Sequence, residues 1–286
     1  MYGAFIGDIV GSKYEFNNIK TKEFPLFSPD CAYTDDSVMT AAVAKAIMLY
    51  EEGKCDNETG TKDIEAYFVE AMQDFGRRYP YPKGAYGGRF AAWLRSDNPA
   101  PYGSYGNGSA MRVSPCGLAA VTIEEAKELA RASAAVTHNH PEGIKGAEAV
   151  AAAIFMAKTG STKEEIRKYT EDNYYKLDFT LDSIRASYSF DESCQGTVPE
   201  AIEAFLESES FEDAIRNVIS IGGDSDTTGA ITGSIAWAYY SNPARCHGED
   251  EKELGRIKEK AAEFLPEEFK KIAEDFRMFC QKRARA

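Results

Sequence analysis

Two short segments of the chain concentrate the oxygen-bearing side chains that could perform chemistry. Residues 34–37 read Thr-Asp-Asp-Ser, and residues 222–229 read Gly-Gly-Asp-Ser-Asp-Thr-Thr-Gly before an apolar stretch. Carboxylates packed this closely repel one another, and a hard divalent cation such as Mg²⁺ or Mn²⁺, which prefers oxygen ligands, relieves that repulsion. Together the two segments predict one metal site between two helix starts.

Two alternatives explain such segments without a shared site. Asp, Ser and Thr are preferred at helix N-termini, where acidic side chains also suit the helix dipole, so each segment could simply cap a helix. An EF-hand is the second alternative, because Asp224, Asp226 and Gly229 fill loop positions one, three and six. Position twelve needs a bidentate Glu and is Ile235, which excludes the EF-hand. Metal site and helix caps both remain open.

Three further features are candidates for ligand binding. Residues 102–112 form a glycine-rich loop whose backbone N–H groups suit a phosphate, although an ordinary turn has the same composition. His138 stands at a helix end and is a candidate phosphate ligand or helix cap, while His138 and His140 lack a nearby third ligand for zinc. Glu15 follows a Gly-Asp-Ile-Val-Gly segment and is a candidate to enter the site, or a solvated side chain.

Composition narrows the function classes. The chain has 286 residues, 43% hydrophobic and 12% aromatic, which predicts a sizeable core rather than disorder. Its net charge of −13 argues against direct binding to nucleic acid or to anionic membranes. The six cysteines form no Cys-x-x-Cys pair, and we find no signal peptide and no apolar run long enough to span a membrane. We therefore expect a cytoplasmic protein with reduced thiols.

Helical periodicity dominates, and almost nothing alternates with period two. We predict an all-α fold in a single domain over residues 1–286, because no linker divides the chain. One apolar face runs from Ile64 to Phe75, in a helix that starts at Thr61 or Asp63. Further helices are predicted near residues 37–52, 123–136, 143–158, 163–173, 199–207, 211–219, 227–240, 249–264 and 266–283. Thr122 with Glu125 and Thr162 with Glu165 are typical of capping boxes.

Two remaining patterns concern how these helices meet. Gly3, Gly7 and Gly11 recur every four residues, as do Gly229 and Gly233, which indicates two helices in close contact through their backbones. Such a contact would bring the acidic segments near each other. The stretch 79–116 is rich in Gly, Pro and Tyr and is predicted to be a long functional loop.

Taken in order, these motifs resemble the ADP-ribosylglycohydrolase family. The matching residues are Gly7, Asp8, Gly11 and Glu15, then Thr34, Asp35 and Asp36, then Gly106 to Arg112, then Thr137 and His138, then Gly222 to Thr227. Each motif is weak alone, but five in the same order are specific. The resemblance runs from Gly3 to about Tyr240; the tail beyond Cys246 has no family motif and is interpreted as helical packing.

The resemblance implies a compact orthogonal multi-helix fold with two divalent cations, Mg²⁺ or Mn²⁺. By motif, the metal ligands would be Thr34, Asp35, Asp36, Asp224, Asp226 and Thr227. The substrate-binding residues would be Ser104, Tyr105, Gly106, Asn107 and Gly108 around the diphosphate, with Tyr105 near the adenosine and His138 near the phosphate or ribose. Glu15 matches an acidic residue that gates the site or assists catalysis, and Glu15 or Asp226 is the candidate general base.

The function implied is metal-dependent hydrolysis of the N- or O-glycosidic bond between ADP-ribose and an acceptor. The partner would be an ADP-ribosylated protein or a small ADP-ribose conjugate. Arginine-specific members tend to have an Asp near residues 83–88, where this chain has none before Asp97, so the acceptor stays open. Two alternatives stay open as well: a non-catalytic ADP-ribose-binding or structural member of the fold, and a hydrolase of another nucleotide derivative.

Overall fold

The computed structural model describes residues 1–55, without the side chains of 54 and 55, and residues 63–285. Over these residues the chain forms fifteen α-helices and a 3₁₀ turn at Cys194–Gly196. The helices are α1 (Tyr2–Gly11), α2 (Asp35–Cys55), α3 (Ile64–Arg78), α4 (Gly88–Arg95), α5 (Gly108–Met111), α6 (Ser114–Ala119), α7 (Ile123–Ala135), α8 (Pro141–Thr159), α9 (Lys163–Asn173), α10 (Leu181–Ile184), α11 (Val198–Leu206), α12 (Phe211–Ser220), α13 (Ser225–Tyr240), α14 (Glu249–Ala262) and α15 (Glu267–Arg283). The described ranges contain two isolated β-bridges and no strand, so the all-α prediction is confirmed.

The helices predicted from periodicity are all present, and their ends differ from the predicted ones by no more than three residues. Asp63 occupies the N-cap position of α3 without a side-chain capping bond, whereas Thr61 lies outside the described residues. The capping box at Thr162 is complete. At α7 it is only half formed, because Thr122 accepts from the Glu125 backbone but the Glu125 carboxylate accepts from Val121 instead of Thr122.

The stretch 79–116 is the main correction to the predicted elements. The sequence predicts one long loop here, yet the stretch contains α4, α5 and the start of α6. Phe90, Trp93 and Leu94 of α4 are buried, at the i, i+3, i+4 spacing of one helix face. The glycines and prolines around this short helix conceal its periodicity in the sequence, and they leave the remaining residues as turns that line a cavity.

Helices α1 and α13 pack backbone against backbone, as the glycine spacing predicted. A Cβ atom added at Gly7 would lie less than 3.0 Å from backbone atoms of Gly229 and Ala230, and one at Gly3 would meet the backbone of Gly233. Only glycine permits this distance. The contact, which we call the glycine seam, places the end of α1 beside the start of α13 and so brings the acidic segments together.

The C-terminal helices complete the core around this pair. Phe5 of α1 stacks on Phe269 of α15, with ring centroids 6.1 Å apart, and Phe269 is fully buried. Buried aromatic pairs of this kind add to the stabilisation that comes from apolar area alone. Across residues 1–55 and 63–285, no helix combines the length and the apolar character needed to cross a bilayer. The cysteines whose side chains are described are free thiols.

Candidate active site

A cavity of about 330 Å³ opens where the end of α1 and the starts of α2, α4 and α13 converge on the segment before α5. Most of the residues predicted to form a site line it. They are Glu15, Asp35, Asp36, Ser104, Gly106, Asn107, Gly108, His138, Asp224, Asp226 and Thr227. The two acidic segments, which are far apart in sequence, therefore share one cavity.

Asp8, buried on α1, caps the start of α2 from a neighbouring helix. Its Oδ2 accepts from the backbone N–H groups of Thr34 (3.0 Å) and Ser37 (3.1 Å), and its Oδ1 accepts from the Thr34 hydroxyl (2.7 Å). Thr34 Oγ1 in turn accepts from the backbone N–H of Asp36 at 3.2 Å. Because Asp8 and Thr34 satisfy the first N–H groups of α2, the carboxylates of Asp35 and Asp36 are not used as caps.

The acidic residues at the start of α13 are not side-chain caps either. Asp224 occupies the N-cap position without a capping bond, and its Oδ2 accepts from Asn107 Nδ2 at 2.7 Å. Asp226 Oδ1 and Asp36 Oδ1 are buried and have no hydrogen-bond partner among the described residues. The Thr227 hydroxyl donates to Asp36 Oδ2 at 3.3 Å and links the two segments. Buried oxygens without partners are rare in native proteins and indicate a missing ion or water.

Glu15 joins this acidic cluster from the segment that follows α1. One carboxylate oxygen from each of Glu15, Asp224 and Asp226 lies within 4.8 Å of the other two. Glu15 Oε2 is buried and, within the described chain, accepts no hydrogen bond. The facing Gly84 has a φ of +77°, and a Cβ atom there would lie 2.8 Å from this oxygen. The segment from Lys83 to Gly84 thus closes over the Glu15 side of the cavity.

Burial and mutual repulsion make this cluster costly to ionise. Burial, followed by the charge of Asp226, raises the pKa of Asp8 to about 7 and that of Glu15 to about 8. The same two causes, in the same order, raise the pKa values of Asp35, Asp36 and Asp224 well above the usual range for aspartate. A cation inside the cluster would oppose both effects, so the donor set, together with its partnerless oxygens, fits a hard divalent ion.

The opposite wall of the cavity is built from backbone amides. In the loop from Ser104 to Gly108, the Gly106 N–H donates to Ser104 Oγ (3.1 Å) and the Asn107 N–H donates to the Glu192 carbonyl (2.7 Å). The N–H groups of Ser104, Tyr105 and Gly108 have no acceptor within the described chain. Of these residues, Ser104 and Gly108 line the cavity, and free amide donors in a glycine loop suit an anion.

His138 stands behind this loop and is held in one orientation. Its Nδ1 lies 2.7 Å from Thr137 Oγ1, which itself accepts from the buried guanidinium of Arg112 at 2.8 Å. The Thr137 hydroxyl can donate to His138 Nδ1 at 2.7 Å or to the Ala134 carbonyl at 3.5 Å. We assign its hydrogen to the shorter contact, which places the imidazole proton on Nε2, facing Gly106 and Gly108. Burial, then Arg112 and Arg89, lowers the pKa of His138 well below its usual value. The ring is a neutral donor beside the amide loop.

Two of the predicted residues lie outside the cavity lining. Thr34 is fully buried behind it, in the hydrogen bonds with Asp8 described above. Tyr105 is 51% exposed and its ring lies against His140, with centroids 5.2 Å apart. The neighbouring Tyr102 lines the cavity instead, 5.9 Å from the His138 ring.

Comparison with known proteins decides the family. The family profile described as ADP-ribosylglycohydrolase matches residues 1–260. The chain belongs to the ADP-ribosylglycohydrolase family. The match continues beyond Tyr240, where the recognisable motifs end, and covers most of α14.

Several relatives are similar over most of their length. The ADP-ribosylhydrolase ARH3 of Homo sapiens is 26% identical over 336 residues, covering 88% of this chain and 89% of that protein. The ADP-ribosylarginine hydrolase Tri1 of Pseudomonas putida is 26% identical, over 84% of this chain and 69% of that protein. A solved ADP-ribosylglycohydrolase-related protein complex aligns with a TM-score of 0.60 at 22% identity, over 92% of this chain and 95% of that one, and supports the fold.

Some residues of this ADP-ribosylglycohydrolase site were not assigned from sequence. Asp8 and Arg112 belong to the sequence motifs, but the motifs alone do not reveal what either residue does. For Asp8 the available signal is a lone Asp in an otherwise apolar helix. Arg89 and Glu192 line the cavity and had no signal in the sequence, because α4 was not predicted and Glu192 reaches the amide loop through its backbone oxygen.

Proposed function

We propose that this chain is a divalent-metal-dependent hydrolase that cleaves the glycosidic bond between ADP-ribose and an acceptor. The observation behind the proposal is the two-sided cavity. One wall holds carboxylates with buried oxygens that have no partner among the described residues, and the other holds amides without an acceptor in the same residues and a neutral histidine. A ribose diphosphate needs both walls, since a cation site suits vicinal hydroxyls and an amide loop suits the diphosphate.

Two divalent cations, Mg²⁺ or Mn²⁺, would be held by the acidic wall. The proposed ligands are Thr34, Asp35, Asp36, Asp224, Asp226 and Thr227. Bound there, such cations supply Lewis acidity toward oxygen and neutralise the repulsion among the carboxylates. Asp8 is not a proposed ligand; it fixes Thr34 and the first turn of α2, so that Asp35 and Asp36 face the cavity.

The amide wall would bind the diphosphate. The free N–H groups of Ser104, Tyr105 and Gly108 would donate to phosphate oxygens, with His138 Nε2 as a further donor to phosphate or ribose. The exposed ring of Tyr105 is proposed to lie near the adenosine, at the outer end of this loop. Binding at both ends would fix the anomeric carbon between the two walls.

In the reaction the bond from the anomeric carbon to the acceptor nitrogen or oxygen breaks and a water oxygen takes its place. Positive charge develops at the anomeric carbon, and the carboxylates of the acidic wall stabilise it. Glu15 Oε2 and Asp226 Oδ1 are the candidate proton acceptors from that water, because both are buried in the cluster without a hydrogen-bond partner in the described chain. General-base assistance contributes about 10²–10⁴-fold. The proton leaves with the acceptor.

Release of ADP-ribose from a panel of linkages tests the proposal. ADP-ribosyl-arginine, ADP-ribosyl-serine, an ADP-ribosylated nucleic-acid end and O-acetyl-ADP-ribose would each be incubated with MgCl₂, MnCl₂ or chelator. We expect metal-dependent release from at least one of them. Binding of free ADP-ribose without release from any linkage would instead identify a non-catalytic binding protein, and absence of both would leave a hydrolase of another nucleotide derivative.

A further inference from the structure

The cavity has a charge problem that the amide loop alone does not solve. Six carboxylates line it, namely Glu15, Asp35, Asp36, Glu192, Asp224 and Asp226. A diphosphate ligand adds two more negative charges, and the chain as a whole already has a net charge of −13. Like charges in a partly desolvated site repel over several ångströms. Cations on the acidic wall would offset part of this charge, and cationic side chains in the same lining would add to the attraction of an anionic ligand.

Only two cationic side chains occur among the described residues of the lining, Arg89 and Arg112. Arg112 is 1% exposed and its guanidinium donates to the Ser133 carbonyl (2.7 Å) and to Thr137 Oγ1 (2.8 Å). These bonds fix Arg112 behind His138, where it orients the imidazole. It contributes a positive potential but has little freedom to reach a ligand.

Arg89 is less constrained than Arg112. It lies in the first turn of α4, is exposed, and stacks its guanidinium 4.7 Å from the centre of the Tyr102 ring. One NH2 group donates to the Tyr102 carbonyl, and in the described chain no carboxylate forms an ion pair with Arg89. Stacking on an aromatic ring preorganises a guanidinium and leaves its other N–H donors free.

The space in front of Arg89 is open. A Cβ atom at Gly87 or Gly88 would meet nothing within 4 Å, and both residues line the cavity. Ser104 and Gly108, whose backbone amides have no acceptor in the described chain, line the same cavity as Arg89, and so does His138. A diphosphate on the amide loop would therefore share the cavity with a guanidinium that has no carboxylate partner in the described chain, and a guanidinium can bind phosphate oxygens in bidentate fashion.

We propose that Arg89, held by Tyr102, is the residue that selects diphosphate-containing ligands by binding their phosphate oxygens beside the amide loop. This inference rests on the proposed function, since it concerns how ADP-ribose is recognised. It gives Arg89 a role in ligand selection and none in bond cleavage. The Arg89 guanidinium offsets negative charge that the ligand brings into the cavity. Its contribution to binding affinity therefore depends on the charge of the ligand and on ionic strength.

Binding of the reaction product tests this without turnover. Affinities of wild type, Arg89→Met, Arg89→Lys and Arg95→Met for ADP-ribose, AMP and adenosine would be measured by calorimetry with MgCl₂, at low and high NaCl. Arg95 is an exposed residue of the same helix outside the lining, so its variant matches the change in net charge. We expect Arg89→Met to weaken ADP-ribose binding about 10-fold and Arg89→Lys about 3-fold, equivalent to about 1.4 and 0.7 kcal/mol.

The pattern across ligands and salt separates the outcomes. Arg89→Met should leave adenosine binding unchanged, reduce AMP binding less than ADP-ribose binding, and flatten the salt dependence, whereas Arg95→Met should match wild type. Equal ADP-ribose affinity in Arg89→Met and wild type, or an equal loss for adenosine, overturns the role of Arg89 alone. No ADP-ribose binding by wild type overturns the proposed function, and this inference with it.

Discussion

The two ends of the α1–α13 pair differ in what fills the space between the helices. Along the glycine seam no side chain separates the two helices, because the backbone at Gly7 contacts the backbone at Gly229. The same helices also have buried carboxylates beside this contact: Asp8, next to Gly7 in the chain, bonds the start of α2, and Asp226 lies in the first turn of α13, where its charge helps to raise the pKa of Asp8. The seam is close-packed, whereas the acidic end has mutually repelling carboxylates, some of whose oxygens have no hydrogen-bond partner among the described residues.

This contrast explains how a stable protein can hold a repelling cluster. Close backbone packing over two helical turns and the apolar core around Phe5 supply dispersion and burial, which offset the cost of the acidic end. Active sites are commonly places where local stability is given up for chemistry. The two ends should therefore respond in opposite ways to substitution, metal and pH.

The largest effect is expected at the seam. Gly7→Ala adds a Cβ atom where backbone atoms of Gly229 and Ala230 would be less than 3.0 Å away, so the helices must separate. We expect a loss of at least about 3 kcal/mol or failure to fold, judged by thermal melts followed by circular dichroism. Gly255→Ala on α14 is the matched control, since nothing lies within 4 Å of its added Cβ. It should be neutral or stabilising by up to about 1 kcal/mol. Similar melting temperatures for the two variants would show that the seam is not rigid.

At the acidic end, we expect a substitution to leave the stability of the metal-free protein unchanged or to increase it. Asp226→Asn removes one charge from the cluster, so the metal-free protein should be as stable as wild type or more stable. Hydrolysis should fall by at least about 10²-fold and metal should no longer raise the melting temperature. If Asp226 stabilised the helix start instead, Asp226→Ala would cost about 0.5–2 kcal/mol with or without metal while activity persisted.

Ser210→Ala is the control for that measurement. Ser210 accepts a capping hydrogen bond from the Asp213 backbone at the start of α12. Its loss should cost about 1 kcal/mol in chelator and in metal alike. The metal mechanism would be refuted if millimolar Mg²⁺ and Mn²⁺ left the wild-type melting temperature unchanged and the Asp226→Asn variant remained active.

A pH series on metal-free protein examines the same end without mutation. The pKa of Asp8 rises from 3.8 to about 7 and that of Glu15 from 4.5 to about 8, so the folded chain binds more protons than the unfolded chain between these values. The free energy of unfolding then falls as pH rises from about 4 to about 8. In chelator we expect the melting temperature to drop by at least about 4 °C from about pH 5 to about pH 8. With MgCl₂ or MnCl₂ the slope should flatten, and a flat or rising profile in chelator would contradict the assignment.

The smallest effect is expected at the amide wall, which is neither as tight as the seam nor as charged as the cluster. A Cβ atom at Gly106 would lie 3.3 Å from Ser104 Oγ and 3.5 Å from His138 Nε2, so Gly106→Val should fold. Its side chain would occupy the space next to the free amides, and ADP-ribose affinity should fall about 10-fold. Calorimetric titration would measure this, with the melting temperature as the check on folding. An unchanged affinity would mean that the loop is only a turn.

Sequence alone predicted what depends on local pattern or short spacing. The four-residue glycine repeats predicted the seam, and helical periodicity predicted every long helix that the described residues contain. Sequence alone could not predict which groups accept hydrogen bonds from the first N–H groups of α2, because Asp8 and Thr34 are 26 residues apart in the chain. Nor could it predict Arg89 in the cavity, since that position follows from how α4 packs. Contacts between distant segments depend on tertiary packing, which cannot be predicted from periodicity in the sequence.

The order of the segments along the chain has a consequence for biosynthesis. Asp36 and Thr227, whose side chains meet in the cavity, are separated by 191 residues. At about 5–20 residues per second, α13 leaves the ribosome about 10–40 s after the start of α2. During that interval the glycine face of α1 has no α13 to pack against, and Asp35 and Asp36 have only the carboxylates of Asp8 and Glu15 nearby, without those of Asp224 and Asp226. A nascent or truncated chain that ends before α13 therefore lacks the acidic cavity, however many of its earlier helices have already formed.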